Sequence, residues 1–298
     1  MDGALPDRRP QAHADRHAGA PRSERRGRLS PAERCHLRLP PRPHPPVASL
    51  LQYAWGDGPG ARISGAASRR ARDRLTQTLH AGRLAAWTVV IAILAISSYA
   101  VRFTVKSGSL PTDTFFRYST AIGAVAVDGI LLAIVLLIAR GLPLRETFGL
   151  RAPRSWGAAA LIGAATLIVA YALSYAEVGL LQDAHREQSV PEFFDATRLG
   201  AWVANLFAIA IFVPIFEESL CRGLGFSLLE PLGKPAAVVL TAVGFTLAHG
   251  VVVDFPVILA TGLGLGYLRA SSGSLYPCLA LHGVFNGFGL VVASLFGG

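Results

Sequence analysis

Two adjacent carboxylates and an arginine follow an apolar run in the sequence Pro214-Ile215-Phe216-Glu217-Glu218-Ser219-Leu220-Cys221-Arg222-Gly223. That run, residues 201–216, contains no charged side chain and approaches the length of a membrane-spanning helix. An ionisable group in or at the edge of the hydrocarbon costs a few kcal/mol or more. Glu217 and Glu218 are therefore candidate functional residues, and they need partners from other parts of the chain.

The composition is that of a polytopic membrane protein. Of the 298 residues, 52% are hydrophobic and only 16% are charged, and the mean hydropathy is +0.43. A soluble domain carries charge on about a quarter of its residues. Since apolar runs of spanning length recur from residue 86, we predict an all-α transmembrane helical bundle of about seven spans, at 86–105, 119–139, 157–178, 200–221, 235–253, 254–270 and 275–296.

The sixth of these runs, 254–270, is short and contains Gly262, Gly264 and Gly266. The glycines weaken it as a full span. They could equally allow close helix packing, because small residues are common where membrane helices meet.

Residues 1–85 form a basic N-terminal segment that we predict to be disordered, and residues 86–298 form the membrane domain. The segment holds 16 of the 28 basic residues and 7 of the 19 acidic ones, and Pro40 to Pro46 is rich in proline. It has no basic start followed by an apolar run, so we do not expect a secretory signal peptide. Arginine-rich segments can bind phosphates, but a disordered tail or a topology signal explains the charge, and we expect no nucleic-acid partner. Residues 66–85 could form a basic helix against anionic headgroups.

The distribution of charge between the predicted loops gives an orientation. Arginines follow the second, fourth and sixth predicted spans, whereas residues 179–200 are acidic. The positive-inside rule then places the N-terminus in the cytoplasm. We expect an integral protein of the plasma (inner) membrane. The basic side chains counted after the even-numbered spans are Arg140, Arg145, Arg151, Arg154, Arg222, Lys234 and Arg269.

Further polar side chains recur at helical spacing in the apolar runs that follow the carboxylates. His249 lies four residues after Phe245, and Asn286 lies four residues after His282. Residues four apart share one helix face. At about 1.5 Å of rise per residue, three antiparallel helices could bring these side chains to overlapping depths with Glu217.

These residue types suit the hydrolysis of a peptide bond by an activated water. Glu217 and His249 can together hold and deprotonate a water. An imidazole and a carboxamide, His282 and Asn286, can donate hydrogen bonds to a developing oxyanion. Glu217, His249 and His282 could instead bind Zn²⁺, although a carboxamide is a poor zinc ligand. We therefore expect no cofactor, with zinc as the alternative.

The three motifs, Glu217-Glu218-x-x-x-Arg222, Phe245-x-x-x-His249 and His282-x-x-x-Asn286, resemble the signature motifs of the CPBP family of intramembrane proteases. That family includes the type II CAAX prenyl endopeptidases and bacteriocin-processing or immunity proteins. The resemblance covers a motif core at about 200–290, and the segment at 272–275 before the last run is also similar to the family pattern. It implies that Glu217 with His249 activates water and that His282 and Asn286 form the oxyanion site.

The same resemblance gives supporting roles to the remaining motif positions. Glu218 is expected to act through Arg222, and Phe245 to fix the imidazole by packing. We predict an intramembrane endopeptidase whose partners are the lipid bilayer and a peptide or protein substrate. The alternative is a non-catalytic membrane binding protein of the same fold, acting in bacteriocin immunity or as a scaffold. Asp128 and Glu177, also in apolar runs, have no partner at an obvious spacing and are interpreted as structural or lumen-facing.

Overall fold

The computed structural model describes residues 59–104, 113–180 and 194–296, and within these residues every regular element is helical. The all-α prediction is therefore confirmed. The helices are α1 (Pro59–Thr104), α2 (Tyr118–Ile138), α3 (Leu144–Thr147), α4 (Trp156–Leu180), α5 (Ala196–Leu232), α6 (Lys234–Ala248), α7 (Phe255–Ser272) and α8 (Tyr276–Phe296).

The predicted count of seven spans is not confirmed. Within the described residues five helices, α1, α2, α4, α5 and α8, are long and apolar enough to cross a membrane. Helix α6 is apolar but has only 15 residues, fewer than the 20 or so that cross a bilayer. Helix α7 has 18 residues and contains three glycines and an arginine. The chain is nonetheless an integral membrane protein by its apolar helices.

The first helix begins inside the segment that the sequence assigns to the N-terminus. Residues 59–85 continue into the first span as one helix of 46 residues, whereas residues 1–58 lie outside the described residues. The domain boundary at residue 85 and the contact of residues 66–85 with headgroups stay predictions.

Helix α7 packs closely against two neighbours through its glycines. A Cβ at Gly262 would lie 3.3 Å from the Cα of Ala242 on α6, and one at Gly266 would lie 3.1 Å from a methyl of Val238. On the α4 side, a Cβ at Gly264 would overlap the side chain of Thr166. The prediction of close packing is confirmed, and it lets a short α7 sit between α4 and α6.

The loop before α8 is anchored to the loop before α4. The amide of Leu275 donates to the carbonyl of Gly149 at 3.0 Å, and Arg151 Nε donates to the carbonyl of Gly273 at 2.8 Å. Gly273 ends α7 with φ of 70°, a left-handed conformation that favours glycine. These bonds fix where α8, which carries two motif residues, begins.

Two of the arginines counted as loop charges are not in loops. Arg222 lies within α5 and is 0% exposed, and Arg269 lies within α7 and is 5% exposed. The sequence prediction of their position was wrong, because each guanidinium has partners inside the bundle. The cytoplasmic orientation of the N-terminus now rests on the remaining basic side chains and stays a prediction.

Candidate active site

The first motif lies where α5 departs from regular α-helix. Glu217 and Glu218 end the α-helical stretch Val213–Glu218, and a π-helical segment, Ser219–Gly225, follows. A second π-helical segment, Ala208–Phe212, precedes them. Such wide turns are rare and occur often at functional sites.

Glu218 and Arg222 form a fully buried ion pair. Both side chains are 0% exposed, and Arg222 Nη1 donates to Glu218 Oε1 at 3.0 Å. Arg222 Nη2 also donates to the carbonyl of Gly262 on α7 at 2.8 Å. The pair therefore joins α5 to α7. Each side chain also neutralises the charge of the other, which would be costly to bury alone.

His282 of α8 lies between the two adjacent carboxylates. Its Nδ1 is 2.9 Å from Glu218 Oε1, and its Nε2 is 3.5 Å from Glu217 Oε2. The imidazole is 3% exposed, whereas the Glu217 side chain is 22% exposed. Because neighbouring side chains diverge by about 100° around a helix, the two carboxylates contact opposite sides of one ring.

Phe245 of α6 is the common neighbour of the motif side chains. Its ring centroid is 4.5 Å from that of His249 and 5.6 Å from that of His282. The Arg222 guanidinium carbon lies 4.4 Å from the same centroid, which is a cation–π contact. Phe245 thus packs against one residue from each of the three motifs.

The hydrogen bond of His249 fixes its tautomer. Nδ1 lies 2.8 Å from the main-chain carbonyl of Phe245, and a carbonyl can only accept, so Nδ1 carries the proton. In the neutral ring Nε2 then has the free lone pair. His249 ends α6 as its C-cap residue and is partly buried.

Asn286 lies one turn after His282 on α8. Its Nδ2 donates to the carbonyl of Ile209 at 3.2 Å, within the first π-helical segment of α5. A Cβ at Gly283 would lie 2.5 Å from the carbonyl oxygen of Ala210. The absence of a side chain there allows the close approach of α8 to α5 that this hydrogen bond needs.

The geometry therefore brings six of the seven predicted residues into one contact network, and Asn286 borders it on the same face of α8. Comparison with known proteins agrees with this location. Residues 199–288 match the family model described as "Type II CAAX prenyl endopeptidase Rce1-like". Residues 199–288, the Rce1-like segment, are therefore similar to a family of membrane proteases. No curated protein matches the chain, and no solved structure matches it.

The Rce1-like segment contains all seven predicted residues, and the match confirms the resemblance to CPBP family intramembrane proteases. The family is one of proteases, hydrolases that act on peptides in the bilayer. The match extends from the start of α5 to the middle of α8. It does not include α1, α2 or α4, which the resemblance also left as generic spans.

The described residues contain no group of three or more His, Cys, Asp or Glu side chains placed to hold a metal ion. The predicted zinc alternative uses Glu217, His249 and His282 as ligands. Nδ1 of His249 is hydrogen-bonded to a main-chain carbonyl, and Nδ1 of His282 is hydrogen-bonded to a carboxylate. Zinc-bound histidines are held in the same way. Metal dependence remains a prediction that a chelator experiment tests.

Three residues outside the motifs lie near the motif residues. Asp128 of α2, for which the sequence shows no partner at an obvious spacing, is partly buried and near enough to Glu217 for two ionised carboxylates to repel each other. Trp87 of α1 and Arg269 of α7 donate to main-chain carbonyls of the π-helical segment Ser219–Gly225. In the sequence these residues stand out only as a charge or an indole inside an apolar run, and that pattern does not reveal which group the side chain contacts.

An apolar groove runs along the seam of α5 and α8. Its volume is about 580 Å³. Several of its side chains are about half exposed, so the groove is open to the surroundings of the bundle. It is lined by Val203, Leu206, Phe207, Ala210, Ile211, Val284, Gly287, Phe288 and Val291.

Proposed function

We propose that the chain is an intramembrane endopeptidase in which Glu217 and His249 activate the water that attacks the peptide bond. The observation that carries this proposal is the convergence of Glu217, His282 and Glu218 with the Phe245–His249 pair inside an Rce1-like segment. The three motifs come from three different helices. A packing role for each polar residue separately would not require them to share one network.

Glu217 and His249 have the properties that a water-activating pair needs. Glu217 is the exposed member of the two carboxylates, so water and substrate can reach it. His249 presents a lone pair at Nε2 in its neutral form, because Nδ1 donates to Phe245. Glu217 accepts the proton of the attacking water and passes it to the leaving amine nitrogen as the peptide bond breaks.

His282 and Asn286 stabilise the oxyanion that forms on the former carbonyl oxygen. Glu218 accepts a hydrogen bond from Nδ1 of His282, which leaves Nε2 directed to the side of Glu217 and the reacting group. Donation from Nε2 to the oxyanion while Nδ1 donates to Glu218 requires the doubly protonated imidazolium form of His282.

The substrate is a peptide or protein held at the membrane. The groove between α5 and α8 is apolar and lined by half-exposed side chains, so it supports access from within the bilayer. A prenylated C-terminal peptide is one candidate of that kind. The N-terminus is proposed to be cytoplasmic, in the plasma (inner) membrane.

The test is cleavage of a membrane-peptide library by the purified full-length protein in lipid nanodiscs, followed by mass spectrometry. We expect wild type to cleave a subset of peptides and His249→Ala to be inactive with an unchanged melting temperature. Activity that persists in a chelator supports the metal-free mechanism. Loss of activity with a chelator and its return with Zn²⁺ would assign Glu217, His249 and His282 as ligands instead.

A folded wild-type protein that cleaves no peptide of the library would contradict the proposed peptidase function. The result would then favour the non-catalytic membrane binding protein of the same fold.

A further inference from the structure

The π-helical segment Ser219–Gly225 is held by hydrogen-bond donors from two other helices. Trp87 Nε1 of α1 donates to the carbonyl of Leu220 at 2.9 Å. Arg269 Nε of α7 donates to the carbonyl of Arg222 at 2.9 Å. Main-chain carbonyls buried away from water need such partners. Here the partners are side chains of α1 and α7.

Both donors are enclosed by the bundle. Trp87 and Arg269 are each 5% exposed, and the Arg269 guanidinium carbon lies 5.1 Å from the ring centroid of Phe226. A Cβ at Gly225 would lie 2.6 Å from Trp87 Nε1, and one at Gly149 would lie 2.7 Å from the Arg269 guanidinium carbon. Glycine at these two positions leaves room for the donors, so their placement is built into the fold.

Arg222 of α5 and Arg269 of α7 each donate a hydrogen bond to a main-chain carbonyl of the other helix. Arg222 of α5 donates to the carbonyl of Gly262 on α7, and Arg269 of α7 donates to the carbonyl of Arg222 on α5. The position of the Arg222 backbone is therefore fixed by α7 and not by its own helix alone. Since Arg222 and His282 both donate to Glu218 Oε1, a shift of this backbone would also move Glu218 and His282.

We propose that Trp87 and Arg269 are positioning residues, which hold the π-helical segment of α5 so that Glu218 and Arg222 keep His282 in register with Glu217. Neither residue belongs to the three motifs, and Trp87 lies outside the Rce1-like segment. The catalytic consequence rests on the proposed peptidase function. The structural consequence is that the π-helical segment loosens when a donor is lost, and it does not depend on that function.

The structural consequence is tested with Cys221, a free cysteine inside the π-helical segment that is 2% exposed. The full-length protein in nanodiscs is treated with N-ethylmaleimide, and labelling is followed for each cysteine peptide by mass spectrometry. Cys278 of α8, which is also free and 0% exposed, reports general loosening of the bundle. The variants are Trp87→Phe, which keeps the aromatic ring but removes the N–H, and Arg269→Met, which keeps an unbranched apolar chain.

Matched controls make the same changes elsewhere. Trp202→Phe removes an indole donor to Ser294 at the other end of α5, and Arg154→Met removes a guanidinium donor to the carbonyl of Ser271. We expect Trp87→Phe and Arg269→Met to raise the labelling rate of Cys221 relative to Cys278, with both controls at the wild-type ratio. An unchanged ratio in both test variants would overturn the proposal, as would equal acceleration at both cysteines.

The catalytic consequence is read from kcat and KM on a peptide that wild type cleaves. We expect kcat to fall about ten- to a hundred-fold in the two test variants with little change in KM, because reacting groups are displaced while substrate contacts remain. Arg269→Lys keeps a donor and should recover part of the loss. A loss confined to KM would overturn the proposal. A wild type without cleavage would contradict the proposed function and leave the cysteine result standing.

Discussion

At the scale of single residues, the two adjacent glutamates differ in their burial and in their hydrogen-bond partners. Glu218 is fully buried and shares Oε1 between Arg222 and His282, whereas Glu217 is partly exposed and meets the other nitrogen of the same imidazole. The sequence predicted that Glu218 supports the site through Arg222. The structure adds His282 as its second partner, which explains why a pair of carboxylates is needed.

Replacing Glu218 with glutamine should destabilise the fold, because it leaves the fully buried Arg222 without its opposite charge. Breaking a buried ion pair costs roughly 3–5 kcal/mol. The measurement is the melting temperature of the purified variant in nanodiscs. Asp73→Asn, at an exposed position of α1, is the matched control, and a Glu218→Gln protein that melts like this control would contradict the assignment.

Replacing Phe245 with leucine should lower activity while the bundle stays folded. The change removes the cation–π contact with Arg222, which contributes about 2 kcal/mol when desolvated, and frees the two imidazoles beside the ring. Cleavage rate and melting temperature are measured together. Phe103→Leu, at a residue of α1 that is 75% exposed, should leave both unchanged, and equal activity in the two variants would refute the role given to Phe245.

At the scale of helices, the site depends on how closely α8 approaches α5. Gly283 and Gly287 face Ala210 in the first π-helical segment, and Asn286 lies between them in sequence. Small residues let membrane helices pack at short distance. The side-chain amide of Asn286 can reach the carbonyl of Ile209 only while this spacing is kept.

Gly283→Ala should therefore impair cleavage more than Gly289→Ala. A methyl group at Gly283 would lie 2.5 Å from a backbone carbonyl oxygen, whereas nothing lies within 4 Å of a Cβ at Gly289. Because backbone must move at the first position, the hydrogen bond of Asn286 should be lost. Initial rates for the two variants at matched concentrations of folded protein check this expectation, and equal rates would count against it.

The sequence was informative about helices and motifs and uninformative about the bonds between helices. Spacing predicted that His282 and Asn286 share a face of α8, and apolar runs located every helix of the membrane domain except the short α3. The π-helical segment Ser219–Gly225 was not predictable, since two of its carbonyls accept hydrogen bonds from Trp87 and Arg269, in distant parts of the chain. Arg269 was misplaced in a loop because a charge at the end of an apolar run normally marks the membrane boundary.

At the scale of the whole molecule, a polar cluster joins the segments that lead into α2 and α5. Arg198 pairs with Asp113 at 2.8 Å and with Asp195 at 2.7 Å, and Arg117 contacts Asp113 at 2.6 Å. Hydrogen bonds from Arg117 and then Arg198 lower the pKa of Asp113 below its usual 3.8. Hydrogen bonds from Thr197 and then Arg198 lower the pKa of Asp195.

These shifts predict that the cluster stabilises the fold at neutral pH and ceases to do so in acid. A carboxyl group whose folded pKa is depressed contributes stability above its unfolded pKa, and this contribution is lost as the pH falls through the folded value. We expect Asp113→Asn to lower the melting temperature by more at pH 7 than at pH 3, measured against Asp73→Asn. An equal effect of Asp113→Asn at both pH values would contradict the ionic role of the cluster.

The role of Glu217 as the base that activates water is tested by one comparison. The cleavage rate of a single identified peptide is measured for wild type and Glu217→Gln in nanodiscs, with melting curves for both. General-base catalysis contributes about 10²–10⁴-fold, so we expect a rate lower by at least two orders of magnitude and an unchanged melting temperature. Cleavage by Glu217→Gln at the wild-type rate would contradict this role of Glu217.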